Sequence, residues 1–222
     1  AGKMVKDKDS LYLVGWTPTK AGKQDKNPTD WAGNLVAHQL KQREDGTLYP
    51  VPVEKAAERL QKQVETTPIT ERGDVAGQSY HFDGAGYADV VMPKMEGIRK
   101  ITGHFQVQVA KQQGQFGLMF NVGPNQTGSL NLVFDPVKQQ VAFYNTDTSR
   151  VHAAKPELAV PVSLQPDESY DFTLLIDGTV AVLYINDQMA LSTRMYDLPE
   201  HQWGIFSAGS EVTLTGLQTS TL

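Results

Sequence analysis

The chain has 222 residues, of which 40% are hydrophobic and 20% charged, and its formal net charge is −5. This composition is typical of a folded globular protein without a general attraction to phosphate backbones, so we expect no nucleic-acid partner. The absence of cysteine excludes disulfides, thiol nucleophiles and Cys-ligated metals, and no apolar run is long enough to predict a membrane helix or a membrane partner.

The N-terminal region, residues 1–49, shows the pattern of an antiparallel hairpin or meander. Residues 11–16 are apolar and aromatic, as in a buried strand. Residues 17–33 are rich in proline, glycine and lysine, which predicts a long loop. Residues 33–40 return to strand character, and Glu-Asp-Gly-Thr at 44–47 predicts a tight turn.

Residues 50–75 are predicted to form a helical linker. Prolines at positions 50 and 52 end the hairpin, and the period then changes to that of a helix over residues 53–65. The apolar residues at helical spacing are Val53, Ala56, Ala57, Leu60 and Val64. The sequence Thr-Thr-Pro at positions 66–68 ends this pattern.

Residues 76–222 are predicted to form a single β-sandwich domain. Short strand-like segments follow one another, bounded by Gly, Pro, Asn and Asp, with no helical pattern between them. The clearest hairpin has Asp177-Gly178 between two alternating strands. The predicted fold class is therefore all-β, an antiparallel jelly-roll sandwich of concanavalin-like type, with an N-terminal blade-like hairpin and one linker helix.

No catalytic, metal or cofactor site is predicted. The five histidines are scattered without metal-ligand spacing, and no phosphate loop, dinucleotide fingerprint or nucleophile elbow occurs. The acidic residues mostly lie in turns, as in Asp135-Pro136 and Asp177-Gly178, where local hydrogen bonds explain them. An independent glycoside hydrolase would need two carboxylates facing a scissile bond, and the sequence singles out no such pair.

Four aromatic residues are candidates for stacking on sugar rings, which present apolar faces to indole and phenol groups. They are Trp31, Tyr87, Tyr144 and Trp203. Trp203 lies at a strand end and Trp16 likewise, which is also typical of core residues. If the four side chains were exposed on one concave face, the chain would be a carbohydrate-binding module.

Two stretches resemble glycoside hydrolase family 32, whose enzymes join a five-bladed β-propeller to a C-terminal β-sandwich. In the tail, Leu-Ile-Asp-Gly-Thr-Val-Ala-Val-Leu-Tyr-Ile-Asn-Asp at 175–187 and Leu-Ser-Thr-Arg-Met-Tyr at 191–196 look like the family's sandwich signature. At the front, residues 11–16, Trp-Ala-Gly-Asn-Leu at 31–35 and Asp-Gly-Thr-Leu at 45–48 look like the last propeller blade. The predicted helix would be the linker between the two.

The catalytic motifs of that family are not found in this chain. The family's Asp nucleophile lies in Asn-Asp-Pro-Asn, its stabilising Asp in Arg-Asp-Pro and its acid/base Glu in Glu-Cys. Here Asp135-Pro136 follows Phe134 instead of Arg, and there is no cysteine. Where the family's last blade usually reads Pro-Arg-Glu-Leu, residues 37–40 read Ala-His-Gln-Leu.

The resemblance implies a non-catalytic C-terminal sandwich that supports a catalytic propeller, in a parent protein that acts on fructans. We expect no enzymatic activity of this chain alone. The expected partners are the upstream propeller of the same parent, a glycan, and a second copy in a homo-oligomer. The resemblance favours an extracellular or periplasmic location. Because one blade can neither bury both faces nor close a ring, residues 1–49 are expected to belong to something larger.

Overall fold

The computed structural model describes residues 2–76, 78–197 and 201–222, in which strands make up almost all of the regular structure. The predicted all-β sandwich class is confirmed. An N-terminal four-stranded sheet packs against one side of a larger β-sandwich. No helix of the described residues is long and apolar enough to cross a membrane.

The N-terminal sheet is an antiparallel meander with its strands in sequence order. The strands are β1 (Lys3–Asp7), β2 (Ser10–Lys20), β3 (Thr29–Gln42) and β4 (Leu48–Val51). The long loop predicted over 17–33 is wrong, because β2 and β3 continue to pair from Leu11–Leu40 as far as Lys20–Thr29. The connection is therefore confined to residues 21–28, and β1 adds a strand that the sequence did not reveal.

The predicted helix is confined to one turn, α1 (Glu54–Ala57). The chain then forms β5 (Lys62–Val64), which pairs with the end of β17 (Gln202–Thr221). Pairing within a sheet outcompetes the helix because a short isolated helix is marginal in water, whereas the ladder satisfies the same backbone groups. Leu60, one of the predicted apolar positions, is buried, and its carbonyl accepts a hydrogen bond from the Ser220 hydroxyl at 2.9 Å.

Two antiparallel sheets form the sandwich and share the long strands β10 and β17. The remaining strands are β6 (Thr70–Arg72), β7 (Asp74–Ala76), β8 (Ser79–Asp83), β9 (Tyr87–Met92), β10 (Arg99–Val122), β11 (Gly128–Asp135), β12 (Gln140–Tyr144), β13 (Leu158–Pro161), β14 (Ser169–Asp177), β15 (Val180–Ile185) and β16 (Met189–Arg194). The first sheet has the order β13-β12-β11-β10-β17-β9-β6, and the second has the order β16-β15-β14-β10-β17-β8-β7.

The two shared strands cross from one sheet to the other at a corner with register shifts. In β10, residues 99–106 pair with β14 of the second sheet and residues 116–122 pair with β11 of the first. At the corner, a Cβ on Gly114 would lie 2.1 Å from the carbonyl oxygen of Ala208 in β17. Only glycine permits this close approach of two backbones.

The main core lies between the sheets and is rich in phenylalanine. The ring of Phe105 lies 5.0 Å from Phe116, 4.9 Å from Phe134 and 5.1 Å from Phe172, measured between centroids. All four rings are buried. Phe105 and Phe116 lie on the shared strand β10, while Phe134 belongs to the first sheet and Phe172 to the second, so this cluster ties the sheets together.

The turns of the C-terminal hairpins confirm the sequence signals. Asp177 pairs with Val180, and Gly178 has a φ of +55°. In the next turn Asn186 and Asp187 adopt positive φ values of 44° and 53°. Glycine, asparagine and aspartate tolerate this conformation best, which is why these residue types predicted the hairpins.

Candidate functional site

One row of side chains crosses five strands on the outer face of the first sheet, the face away from the main core. Tyr87 in β9 pairs with Ala208 in β17, and Ala208 pairs with Gln115 in β10. The Gln115 side chain bonds to Asp135 in β11, which pairs with Gln140 in β12. Cross-strand neighbours on one face lie within about 5.5 Å at Cβ, so the row forms a continuous floor.

A cavity of about 410 Å³ opens above this row, and we call it the outer pocket. Its opposite wall is the segment around a turn of 3-10 helix, Thr148–Arg150. This volume lies in the lower part of the range of small-molecule sites, roughly 300–1,000 Å³. The lining residues are Tyr87, Gly114, Gln115, Asp135, Val137, Lys138, Thr148, Ser149, Val151, His152 and Ala208.

Asp147 holds the wall of the outer pocket in place. Its carboxylate accepts hydrogen bonds from the Ser149 backbone N–H at 2.9 Å and from the Thr127 hydroxyl at 2.8 Å. Burial would raise the pKa of Asp147, but these hydrogen bonds outweigh burial and lower the pKa. The next residue, Thr148, is buried and its hydroxyl donates to Asn131 Oδ1 at 2.7 Å. The wall is therefore anchored to β11.

Gln115 and Asp135 form the polar floor of the outer pocket. Gln115 is only 7% exposed, and its Nε2 donates to Asp135 Oδ2 at 2.7 Å. The buried Asp135 also accepts from the Lys138 backbone N–H at 2.9 Å, with Lys138 Nζ 3.5 Å from Oδ2. The Oε1 atom of Gln115 has no hydrogen-bond partner among the described residues. A buried acceptor without a partner costs free energy, and this atom has almost no accessible surface of its own.

Tyr87 forms one end of the outer pocket, but its ring already has partners within the protein. The Arg72 guanidinium lies over the ring, 5.4 Å from its centroid, and the Phe206 ring stacks at 6.3 Å. Arg72 in turn pairs with the buried carboxylate of Asp89. Burial, followed by the charge of Asp89, raises the pKa of Tyr87. The phenol therefore stays neutral, and its hydroxyl lies 3.5 Å from the Gln126 carbonyl oxygen and 3.6 Å from Met119 Sδ.

The four aromatic residues predicted to bind sugar do not come together. Tyr144 shares the outer face with Tyr87 but is fully buried in a small cluster that includes Val151. Trp203 is buried in the main core. Neither ring has an exposed face for stacking, which corrects the expectation of a shared aromatic platform. Trp31 is 85% exposed on β3 of the N-terminal sheet, away from the row of the outer pocket.

A second feature is the junction between the N-terminal sheet and the sandwich, centred on Arg194 in β16. Arg194 is buried, and its Nη2 donates to the Thr17 carbonyl at 2.8 Å and to Asn34 Oδ1 at 2.7 Å. Its Nε donates to the Pro18 carbonyl at 2.8 Å, and its Nη1 donates to Thr179 Oγ1 at 2.7 Å. One guanidinium fork thus joins β2, β3 and the sandwich through neutral acceptors.

A buried lysine and aspartate extend the junction. Lys20 Nζ lies 2.8 Å from Glu157 of the sandwich and donates to the Asp25 carbonyl oxygen at 2.8 Å. The Asp25 carboxylate accepts the backbone N–H groups of Tyr196 and Asp197 at 2.9 and 3.0 Å. Burial is the main reason that the pKa of Asp25 is raised, although both N–H groups and Lys20 act against the shift.

An apolar contact completes the junction further along the same strands. Val36 in β3 packs against Val180, Val182 and Tyr184 of the second sheet. His38 contacts Tyr184 through its ring, and His38 Nδ1 lies 2.9 Å from the Tyr184 hydroxyl. Burial lowers the pKa of His38 and raises that of Tyr184. Both groups are therefore neutral near pH 7, and the contact adds no charge to the interface.

The opposite face of the N-terminal sheet has large apolar side chains exposed at its centre. Trp16 and Leu35 are direct cross-strand partners, and they are 53% and 75% exposed. Alternate residues of a strand share a face, so Trp16 points away from the sandwich while its neighbour Thr17 is buried at the junction. Val5 of β1 pairs with Tyr12 on the Trp16 side of the sheet and is 49% exposed. We call this surface the open blade face.

Sequence reasoning missed Gln115 and explained Asp135 only as a turn residue. Asp135 does serve its turn, because it accepts the Lys138 N–H, but it also binds Gln115 at the pocket floor. The row that joins them depends on pairing between strands that are distant in sequence. Alternation along a strand tells which residues share a face, but not which strands are neighbours.

Comparison with known proteins identifies relatives of the sandwich. A family model described as "GH32, BT1760-like, C-terminal domain" matches residues 46–219. No curated protein matches the sequence. Among solved structures, carbohydrate-binding module CBM66 from Bacillus subtilis superposes with a TM-score of 0.55 at 13% identity, covering 72% of this chain and 97% of that one.

The solved structures of two enzymes match the whole of this chain, including the N-terminal sheet. A β-fructofuranosidase from Aspergillus kawachii has a TM-score of 0.64 at 13% identity, and the match covers 100% of this chain and 45% of the enzyme. A sucrose-6-phosphate hydrolase from Lactobacillus gasseri has a TM-score of 0.59 at 15% identity, with 100% and 41% covered. The chain thus spans less than half the length of these enzymes, and the likeness is one of fold.

Proposed function

We propose that this chain, which belongs to the family of BT1760-like C-terminal domains of GH32 proteins, supports an upstream propeller in its parent protein. In this role the sandwich is a non-catalytic accessory domain, and the N-terminal sheet is the last blade of the propeller. The single observation that carries the proposal is the two-sided nature of that sheet. One face is fixed to the sandwich by Arg194, and the open blade face exposes Trp16 and Leu35 at its centre.

Burial of apolar surface provides the driving force for this docking. A sheet needs a covering layer on each apolar face, and a propeller blade obtains one from its neighbouring blade. On the open blade face, Trp16 and Leu35 offer adjacent apolar side chains at the centre of the sheet. Each buried large apolar side chain contributes about 1.5–3 kcal/mol, so a few such contacts would hold the upstream blade.

An association experiment tests the proposal. This chain is mixed with the separately produced upstream segment of the same parent protein, and complex formation is followed by sedimentation velocity. We expect a complex for the natural chain and a much weaker one for Leu35→Asp, which places a charge on the open blade face. The matched control is Leu158→Asp, since Leu158 is an exposed leucine on β13 of the sandwich. Equal association of both variants, or none of the natural chain, would refute the proposal.

Carbohydrate binding is a second candidate function. It is favoured by the outer pocket, where a buried amide oxygen lacks a partner beside the Asp135 carboxylate. The likeness to CBM66 supports a fold suited to this role, since that protein is named a carbohydrate-binding module. Hydrolysis is less well supported, because Asp135 is the one carboxylate among the described residues that line the pocket, whereas glycoside hydrolysis uses two.

A further inference from the structure

We propose that a second cavity, which we call the edge pocket, binds a neutral, hydroxyl-rich ligand of monosaccharide or disaccharide size through the Tyr80 hydroxyl and the Gln218 amide. The edge pocket has a volume of about 590 Å³ and lies between the end of β5, the start of β8 and the last part of β17. The inference deepens the second candidate function, carbohydrate binding, and rests on it. It assigns the ligand to the edge pocket because the polar floor of the outer pocket is buried.

The edge pocket occupies a gap in the second sheet beside β17. The ladder between β8 and β17 ends at the pair Tyr80–Leu214, and the ladder between β5 and β17 begins at the pair Val64–Thr219. Between these pairs, no described strand lies on this side of β17. Here β17 also bulges against β10, with Gly216 at a φ of +60°. A bulge interrupts the even spacing of backbone groups, so the gap suits a compact ligand better than an added peptide strand.

Tyr80 supplies a fixed hydrogen-bonding group to the edge pocket. It lines the pocket, belongs to the main core and is only 4% exposed, so its ring is held in place. Its hydroxyl forms no hydrogen bond with the described residues, and it is not one of the buried atoms that lack both a partner and accessible surface. The hydroxyl therefore remains accessible. Burial, followed by the charge of Glu71, raises the pKa of Tyr80, so the phenol is neutral and can both donate and accept.

Three exposed amide side chains line the same pocket, namely Gln63, Gln78 and Gln218. None of them forms a hydrogen bond with the described residues. Each amide presents an acceptor oxygen beside two donor hydrogens, which matches the donors and acceptors of neighbouring sugar hydroxyls. Gln218 is the best placed of the three, because its backbone is fixed by pairing with Thr102 of β10.

The charge and the apolar surface of the edge pocket favour a neutral ligand with a nonpolar face. Glu65 is the one charged residue among the described residues that line the pocket. An anion would find no cationic partner among these residues, and a metal ion would find a single carboxylate. Val64, Pro68 and Leu217 contribute apolar surface, which suits the C–H face of a sugar ring. The volume lies within the range of small-molecule sites, roughly 300–1,000 Å³.

The test is calorimetric titration of the full chain with fructose, glucose and sucrose, and with inorganic phosphate and triglycine as anionic and peptide probes. We expect saturable heat with at least one sugar and none with phosphate or triglycine. Tyr80→Phe removes only the hydroxyl and Gln218→Ala removes an exposed amide, and each should weaken binding roughly three- to tenfold. The matched controls are Tyr144→Phe, which removes a buried hydroxyl of the first sheet, and Gln188→Ala, which removes an exposed amide between β15 and β16. Neither control should change the affinity.

The outcomes separate this site from the functions proposed above. Sugar binding that is as strong in Tyr80→Phe and Gln218→Ala as in the controls would keep carbohydrate binding as a function and overturn the edge pocket. Heat with none of the sugars would refute both, and so would heat with phosphate or triglycine alone. If Tyr80→Phe fails to fold, Gln218→Ala still decides the case, because its side chain is exposed. Association with the upstream segment is measured separately and bears on the docking alone.

Discussion

The guanidinium of Arg194 donates a hydrogen bond to the carbonyl oxygen of Thr17 at 2.8 Å, although the two residues are separated by 177 positions in the chain. Arg194 lies in β16, an edge strand of the second sheet, and Thr17 lies in β2 of the N-terminal sheet. A fork of charged donors aimed at backbone carbonyls fixes both distance and orientation. The N-terminal sheet is thus held by the sandwich at one specific angle, with its open blade face turned outward.

Replacement of Arg194 should loosen the N-terminal sheet. Arg194→Met keeps much of the side-chain volume but leaves the Thr17 and Pro18 carbonyls without their donor, at about 1–3 kcal/mol for each unsatisfied group. We expect faster amide hydrogen exchange in β2 and β3, with little change in β14 and β15. Arg194→Lys should restore little of the protection of β2 and β3, because an ammonium cannot reproduce the several directed donors of a guanidinium. An exchange pattern unchanged from that of an Arg59→Met control would contradict this role.

The junction should also respond to pH through Asp25. Because burial raises the pKa of Asp25 above its ordinary value of 3.8, the folded chain binds this proton more tightly than the unfolded chain. The resulting stabilisation is fully present below 3.8 and is lost as pH rises through the raised pKa. As pH falls through this window, the melting temperature of the natural chain should therefore rise relative to that of Asp25→Asn.

The comparison with Asp25→Asn is needed because other carboxylates act in the opposite direction. The lowered pKa of Asp147, for example, makes the wall of the outer pocket less stable in acid, but it does so equally in both proteins. A difference between the two melting curves that grows with rising pH would show that the hydrogen bonds from Tyr196 and Asp197 outweigh burial.

The corner of the sandwich provides a prediction with a matched control. Gly114→Ala would place a Cβ 2.1 Å from the Ala208 carbonyl oxygen, which is backbone and cannot turn aside. We expect a loss of about 1–3 kcal/mol in the free energy of unfolding, in line with other overpacked sites. Gly86→Ala should be close to neutral, because nothing lies within 4 Å of its added Cβ. Chemical denaturation of both variants would measure this contrast, and equal losses would refute it.

The sequence predicted local features well. Asp177-Gly178 gave the correct hairpin, because its turn requires a conformation that few residue types tolerate. The all-β class followed from the spacing of such turns. The helix over 53–65 was overestimated because the competing partner of its second half, the end of β17, lies more than 150 positions away. Periodicity describes a local preference, whereas sheet pairing decides which preference prevails.

The sites depended on long-range contacts and were harder to predict. Tyr144 and Tyr87 share an outer sheet face, but only the three-dimensional structure shows that Val151 covers one and leaves the other at a pocket. Trp203, one of the four predicted sugar contacts, is buried in the main core. Gln115 carried no signal at all, since a polar residue in an alternating strand is ordinary until its neighbours are known.

The central claim is that the open blade face is covered by an upstream part of the parent protein. Hydroxyl-radical footprinting measures it directly, by comparing side-chain oxidation in the full-length parent with that in this chain alone. We predict strong protection of Trp16 and Leu35 in the parent, while Leu158 on the sandwich is oxidised equally in both. Equal oxidation of Trp16 and Leu35 in the two proteins would contradict the account.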